Sequence, residues 1–360
     1  MFVDRSPIIK RKKILSRTIP FIIIGLVVFV LYLLFFVNID EMISIIGRTN
    51  FPVYLLATIA TILEMLFFAL AWQFFLKPLS TNLSFKKIFA YSWVGNFVDL
   101  LVPAESISGE ISRIFFVARD GVNPGKAAAS VITQRILGLL IVACTLTLGA
   151  FEMLEMQIPL PSIVQTLIYL VISATAIFLF LIILICIKEN WAHKIVEKII
   201  DFARWVTRGR LRIDEWKERA DKAVDAFYES LRIFRVSPQK FILPVTFSIF
   251  SWFFAILVYY LVFAAIGYVV NWIVIIVGYS IIIGLKSIPV GIPGEVGVTE
   301  IAMTVIFGAF GVPLYISAAT TVLIRLITVW FRLIIGFLVF QWVGVKAMFE
   351  NKTMLFRKIE

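Results

Sequence analysis

Charge, cysteine and histidine are all scarce in this sequence. Only 16% of its 360 residues are Asp, Glu, Lys or Arg, and there are two cysteines and one histidine. Cys144 and Cys186 both sit inside apolar runs, where a thiol behaves as a small hydrophobe, so neither a disulfide framework nor a redox motif is present. His193 lies in a charged amphipathic stretch and reads as a solvated surface residue. A lone histidine builds no histidine-based metal site. The sequence also lacks a D-x-D motif, a P-loop and a dinucleotide-binding glycine pattern. No metal, no cofactor and no catalytic residue are expected.

What is abundant is apolar surface. The chain is 61% hydrophobic, with a mean hydropathy of +0.98, far beyond an ordinary soluble domain. Several apolar runs reach the roughly 20 residues that a helix needs to cross hydrocarbon. A transmembrane barrel would show alternating strands of about 10 residues instead. The expected class is therefore an all-α integral membrane protein. A net charge of +11 raises the question of nucleic acid, but the basic residues flank apolar spans and read as topology signals and headgroup contacts. No nucleic-acid partner is expected.

The basic loops set an orientation, because Lys and Arg in short loops mark the cytoplasmic side. Residues 1–18 form a basic cytoplasmic N-terminus before a first span at 19–37, which is too long for a signal-peptide core and is kept as a true span. A loop at 38–50 is then outside. Spans follow at 52–76, 127–150, 162–187, 241–266 and 313–343. Residues 188–240 carry thirteen Lys or Arg against nine Asp or Glu, with apolar residues at helical spacing. They read as a cytoplasmic amphipathic hairpin lying on the membrane or the inner face, or as a surface for a partner. The tail 346–360 is basic and cytoplasmic, which makes a multi-pass cell-membrane protein with both termini inside.

That orientation leaves a parity problem. Between Lys87 and Lys126 the chain must leave the inner face and return, and between Asn271 and Gly311 it must do the same at the outer face. Each region holds an apolar helix, a polar Gly/Pro-rich break and a short second helix. Two re-entrant hairpins satisfy both counts, for about six full spans in all. Eight or more full spans satisfy them too. The breaks favour hairpins, since irregular backbone at membrane depth must be covered by protein or line a polar cavity.

Sliding the chain by 190 positions superimposes these regions without a gap. Pro103 falls on Pro293, Glu105 on Glu295, Glu110 on Glu300 and Ile111 on Ile301. Past the break, Gly121, Val122, Ala128, Ala129 and Arg135 fall on Gly311, Val312, Ala318, Ala319 and Arg325. Most of these identities are Pro, Gly, Glu and Arg, which an apolar composition does not produce by bias. The two halves, 52–150 and 241–345, begin on opposite sides, with 162–187 supplying the inversion. Inverted repeats with discontinuous helices are common in secondary transporters, where substrate binds near the midplane between the repeats.

Ionisable residues at this depth cost about 2.5–3.5 kcal/mol each and usually face a polar pathway. The candidate site is therefore drawn from the two motifs. Arg113, Arg135, Arg325 and Arg332 are candidates for a lipid headgroup or phosphate, which the planar guanidinium suits by donating two hydrogen bonds to one group. Glu105, Glu110, Glu295 and Glu300 are acidic partners or proton carriers. Pro103, Gly109, Pro293, Gly294 and Gly297 shape backbone breaks whose amides can approach an anion. The alternative is that Glu110 and Glu300 simply pair with Arg135 and Arg325, or serve as helix-dipole partners.

At these residues the chain resembles the flippase-like membrane domain of the lysylphosphatidylglycerol synthase transmembrane family. The likeness rests on P-x5-G-E-x2-R from Pro103 to Arg113, on Gly121 and Arg135, and on P-G-E-V-G-V-T-E before the Arg325 helix. It spans roughly 14–345. The sequence departs by carrying Glu295 where many relatives have another glycine. It also ends soon after the last span, so the family's soluble synthase domain and aminoacyl transfer are not expected. The resemblance implies a translocator that moves an anionic phospholipid or a polyprenyl-phosphate-linked lipid between leaflets. The alternative is a membrane component or scaffold of a lipid-modifying or glycan-transfer pathway, docking a soluble synthase or transferase. Either is compatible with an oligomer.

Overall fold

The computed structural model of the chain describes residues 38–79, 83–102, 107–155, 239–286 and 292–356, with single positions scattered through 27–35 and 166–232. The spans expected at 19–37 and 162–187, the hairpin at 188–240 and the tail beyond 356 lie wholly or mostly outside the described residues. Among the described residues every regular element is helical.

In chain order the helices are α1 (Ile39–Gly47), α2 (Phe51–Leu76), α3 (Phe85–Leu101), α4 (Ile107–Arg119), α5 (Pro124–Glu155), α6 (Gln239–Ala265), α7 (Trp272–Lys286), α8 (Val298–Ala309), α9 (Leu314–Arg325) and α10 (Arg332–Phe356). A π-helical segment, Leu326–Phe331, joins α9 to α10. Four rods are long and apolar enough to cross a membrane: Phe51–Leu79, Pro124–Met153, Gln239–Ala265 and Leu314–Gly344. Only 22–33% of the most apolar stretch of each is buried in the protein. The remainder, with residues such as Leu148, Phe151, Ile242, Ile334 and Leu338 exposed, presents an apolar surface that only lipid solvates well. The protein is thus an all-helical, multi-pass membrane protein.

The other helices of the two motif regions are short. With 17, 13, 15 and 12 residues, α3, α4, α7 and α8 extend only about 18–26 Å, less than the roughly 30 Å of hydrocarbon. Each pair doubles back. At the base of α3–α4, Asp120 accepts from Tyr91 at 2.8 Å and pairs with Lys87 at 3.1 Å. At its tip, Asp99 Oδ1 accepts from the Ser108 hydroxyl at 2.8 Å and the Gly109 amide at 2.6 Å. In α7–α8, Gly278 sits against the Phe307 ring, 2.9 Å from where a Cβ would stand.

The chain divides into two compact units. One comprises Met1–Thr61, Trp93–Gly109 and Ile256–Glu360, and the other Ile62–Ser92 and Glu110–Ala255. In the first, Met42 of α1 packs on Ala318 and Ala319 of α9, where two methyl side chains allow close approach. The sequence reads 38–50 as a loop; the structure forms α1 there, capped by the Asn38 side chain on the Glu41 amide and held by that packing. In the same unit the Tyr54 hydroxyl donates to the Leu323 carbonyl at 2.9 Å, beside the π segment. In the second unit Phe67 of α2 lies 5.1–6.0 Å from the rings of Phe247, Phe250 and Phe254 of α6, and Phe75 packs with Leu137, Phe241 and Val245.

Local geometry recurs at the 190-residue offset. Gly121 has φ +91° and Gly311 φ +88°, and both end a helix with the same bonds. The amides of Gly121 and Val122 reach Ala118 and Val117 carbonyls, and those of Gly311 and Val312 reach Gly308 and Phe307. This left-handed stop admits glycine most cheaply.

Candidate functional site

In the first unit the chain leaves the α7 hairpin arm through Pro293–Glu295 and enters α8 after Gly297. Three residues of this turn have left-handed backbone: Gly294 (φ +59°), Glu295 (φ +52°) and Gly297 (φ +91°). Glu295 is the single non-glycine residue with positive φ among the described residues. It occupies the conformation a glycine takes without strain, which locates the departure noted in the sequence. A non-glycine residue held there costs on the order of 1 kcal/mol and persists only where its surroundings hold it. Its carboxylate accepts from the Thr299 hydroxyl at 2.7 Å and faces the Lys286 ammonium at 3.7 Å.

The turn is closed by Arg325. Its Nε donates to Glu300 Oε1 at 2.6 Å, and its terminal nitrogen Nη2 donates to the Gly294 carbonyl. The other Glu300 oxygen accepts the Gly297 amide at 2.7 Å, so one carboxylate caps α8 and neutralises the guanidinium. Both side chains are nearly sealed, at 5% and 7% exposure. Lys286 is less buried than Arg325, with 35% of its side chain exposed. Gly294 also stands close to the end of α3, where a Cβ would lie 3.5 Å from the Leu100 carbonyl oxygen.

The second unit carries the matching pair. Arg135 Nη1 donates to Glu110 Oε1 at 2.7 Å, the same 25-residue separation as Glu300 and Arg325. Here the pair is open, with 32% of the arginine and 19% of the glutamate side chain exposed. Beside it Arg113 is buried. Its guanidinium carbon lies 4.9 Å from the ring centres of both Phe68 and Trp72, and Nη1 donates to Gln134 Oε1 at 2.8 Å. Gln134 in turn donates to the Phe68 carbonyl, and Trp72 Nε1 to Ser130 Oγ at 3.0 Å. This is a cation held between two aromatic faces. The residues 190 positions on, Val258, Val262, Met303 and Ile324, are all buried hydrophobics. The Arg113 assembly therefore belongs to one half alone.

One site residue escapes sequence reasoning. Asp99 caps the first turn of α4, and the signal that marks it is an acid at the end of an apolar helix just before the Pro103 break. Gly109 is tied to it, since a Cβ there would collide with the Asp99 carboxylate and the Gly95 carbonyl. Lys286, a basic residue closing an apolar helix before the second break, is visible in the sequence beside the second motif but is not among the expected site residues. Of the expected site residues, Pro103 and Glu105 lie outside the described residues. Pro293 is buried at the turn, and Arg332, half-buried, starts α10 after the π segment. Among the described residues no group of three or more metal-ligating side chains occurs.

A family model described as the lysylphosphatidylglycerol synthase TM region matches residues 22–336. Curated relatives include a UPF0104 membrane protein of Pyrococcus horikoshii, 27% identical over 323 residues, covering 88% of this chain and 94% of that protein. Another is a UPF0104 membrane protein of Methanocaldococcus jannaschii, 27% identical over 333 residues, covering 91% and 94%. A third, of Methanothermobacter thermautotrophicus, is 23% identical over 286 residues, covering 78% and 82%. With most of its length matched, the chain belongs to the lysylphosphatidylglycerol synthase transmembrane family.

Proposed function

We propose that this member of the lysylphosphatidylglycerol synthase transmembrane family is a translocator rather than an enzyme, moving an anionic phospholipid or a polyprenyl-phosphate-linked lipid between leaflets of the cell membrane. The observation that carries this reading is the recurrence of one acid–guanidinium pair, Glu110–Arg135 and Glu300–Arg325, at helix breaks in each half. A chain that merely spans lipid gains nothing by placing charge there, and each insertion is costly. Short helices that double back, α3–α4 and α7–α8, suit re-entrant hairpins entering from opposite faces, one of the two arrangements that satisfy the basic loops. A phosphate travelling past them needs exposed N–H donors at depth. Arg135 offers such donors, with about a third of its side chain exposed.

Reconstitution tests the reading directly. In vesicles holding the purified protein, headgroup-labelled phosphatidylglycerol or a polyprenyl phosphate should become accessible to a membrane-impermeant quencher faster than in protein-free vesicles. Labelled phosphatidylcholine should not. Equal rates for every candidate with and without protein would sink the proposal. Single cysteines at Gly121 and Gly311, probed with impermeant thiol reagents from each side, test the opposed hairpins: labelling of both from one face contradicts them.

A scaffold role is the second reading, and it draws on the charged hairpin region. There His193 lies 3.3 Å from both Asp221 and Asp225, and Lys217 meets Glu197 at 2.9 Å, ties that suit a formed surface for a soluble synthase or transferase. Translocation that persists after deletion of 188–240 favours the carrier over the scaffold.

A further inference from the structure

The two cations of the first unit's turn are not equivalent. Arg325 is buried, and its donors are directed into the protein, one to Glu300 at 2.6 Å and one to the Gly294 carbonyl. For it to reach an incoming phosphate, both the α8 cap and the turn would have to come apart, because Glu300 also holds the Gly297 amide. Lys286 stands differently. Its ammonium is more than a third exposed, and its carboxylate neighbour, Glu295 Oε2, lies at 3.7 Å, outside the 2.7–2.9 Å of a charge-assisted hydrogen bond. That same Glu295 oxygen accepts the Thr299 hydroxyl at 2.7 Å, so the acid keeps a partner when the lysine leaves it. An ammonium is a rotatable point charge on a flexible stem and swaps partners at little geometric cost, unlike a planar guanidinium locked in two bonds.

We infer that Lys286 is the phosphate-binding cation of this half, that Glu295 is its built-in competitor, and that an anionic headgroup binds by replacing the Glu295 carboxylate beside the lysine. Arg325 is then a positioning residue that holds the turn in shape. This rests on the translocator reading, whose ligand is a phosphate-bearing lipid. The left-handed backbone of Glu295 fits the assignment. A glycine would make the same turn without strain, so the glutamate side chain is what the position retains, set opposite Lys286.

The test measures binding to the purified full-length protein in detergent by ligand-induced shifts in thermal stability. Three ligands are titrated: dioctanoyl phosphatidylglycerol, dioctanoyl phosphatidylcholine and inorganic phosphate. The wild-type protein should bind the phosphatidylglycerol in preference to the phosphatidylcholine. Lys286→Gln should weaken that binding by roughly tenfold or more, the loss of one charge-assisted contact. Glu295→Gln should strengthen it, because the competitor is gone while the lysine remains. Opposite signs from two members of one ion pair are not produced by a purely structural role, and the Glu295→Gln arm carries the inference if Lys286→Gln fails to fold.

Wild-type binding with both variants unchanged overturns the assignment and leaves the translocator standing. A wild-type protein that binds no anionic lipid above phosphatidylcholine overturns both. Inorganic phosphate binding as tightly as the lipid would make the ligand a free anion and overturn the lipid part of the inference.

Discussion

Glu300 and Arg325 meet at 2.6 Å with almost no exposed surface, whereas Glu110 and Arg135 meet at 2.7 Å with the arginine a third exposed. The pairs match in sequence offset and bond length but not in surroundings, and the surroundings decide what each does. Removing one member of a sealed pair strands a buried charge, at a cost of roughly 3–5 kcal/mol. Breaking the less buried pair strands a less desolvated charge and should cost less. Arg325→Gln is therefore expected to lower the melting temperature in detergent sharply, and Arg135→Gln to leave it within a few degrees while reducing lipid translocation. Similar melting temperatures for the two variants would contradict the assignment of Arg325 as a structural closure.

Glu295 provides a test of strain separate from charge. Glu295→Gly and Glu295→Ala lose the same contacts with Thr299 and Lys286, but only glycine occupies φ +52° without penalty. Glycine should be the more stable of the two by roughly 1 kcal/mol, the reverse of the usual preference for alanine. Denaturation of both variants under one set of conditions reads the difference, and an alanine variant at least as stable would show that the turn relaxes.

The sequence made the two pairs legible because Glu and Arg at a constant offset stand out against an apolar background. The four long spans were equally visible, since uninterrupted apolar length is a direct physical requirement of the bilayer. What depends on tertiary contact was hidden. Residues 38–50 read as a polar loop because the packing of Met42 on Ala318 and Ala319, which makes α1 worth forming, joins segments far apart in the chain. The π segment at Leu326–Phe331 reads as ordinary apolar helix, and its neighbour contact from Tyr54 to the Leu323 carbonyl spans most of the chain. Asp99 went unremarked because a cap made from another helix has no fixed spacing to reveal it.

That cap gives a third expectation. Asp99→Asn keeps an oxygen for the Gly109 amide and the Ser108 hydroxyl and should leave stability nearly unchanged. Asp99→Ala should cost roughly 0.5–2 kcal/mol. Gly109→Ala forces a Cβ into the Asp99 carboxylate and the Gly95 carbonyl, an overpacking cost of about 1–3 kcal/mol. Combining it with Asp99→Ala should not rescue the protein, because the Gly95 carbonyl is backbone and stays in place. Full recovery in the double variant, measured by thermal unfolding, would show that the collision lies with the carboxylate alone.

The Arg113 assembly allows the sharpest comparison between the halves, since the other half shows what an apolar version looks like. Arg113 donates to Gln134 at 2.8 Å inside a cage of Phe68 and Trp72, while the corresponding Met303 and Ile324 are simply buried. Gln134→Ile takes an oxygen acceptor from a buried guanidinium and should be the more damaging single change. Arg113→Met leaves Gln134 Oε1 short of its donor, while its amide keeps the Phe68 carbonyl. Together the two substitutions install the apolar pair of the other half, and replacing a buried polar pair with well-packed hydrophobes is often neutral. The double variant should therefore be more stable than the sum of the singles predicts, by about 1 kcal/mol or more. If translocation also survives, Arg113 holds its helix rather than the lipid. If stability is restored and translocation is lost, the guanidinium itself serves transport, and the asymmetry between the halves is functional.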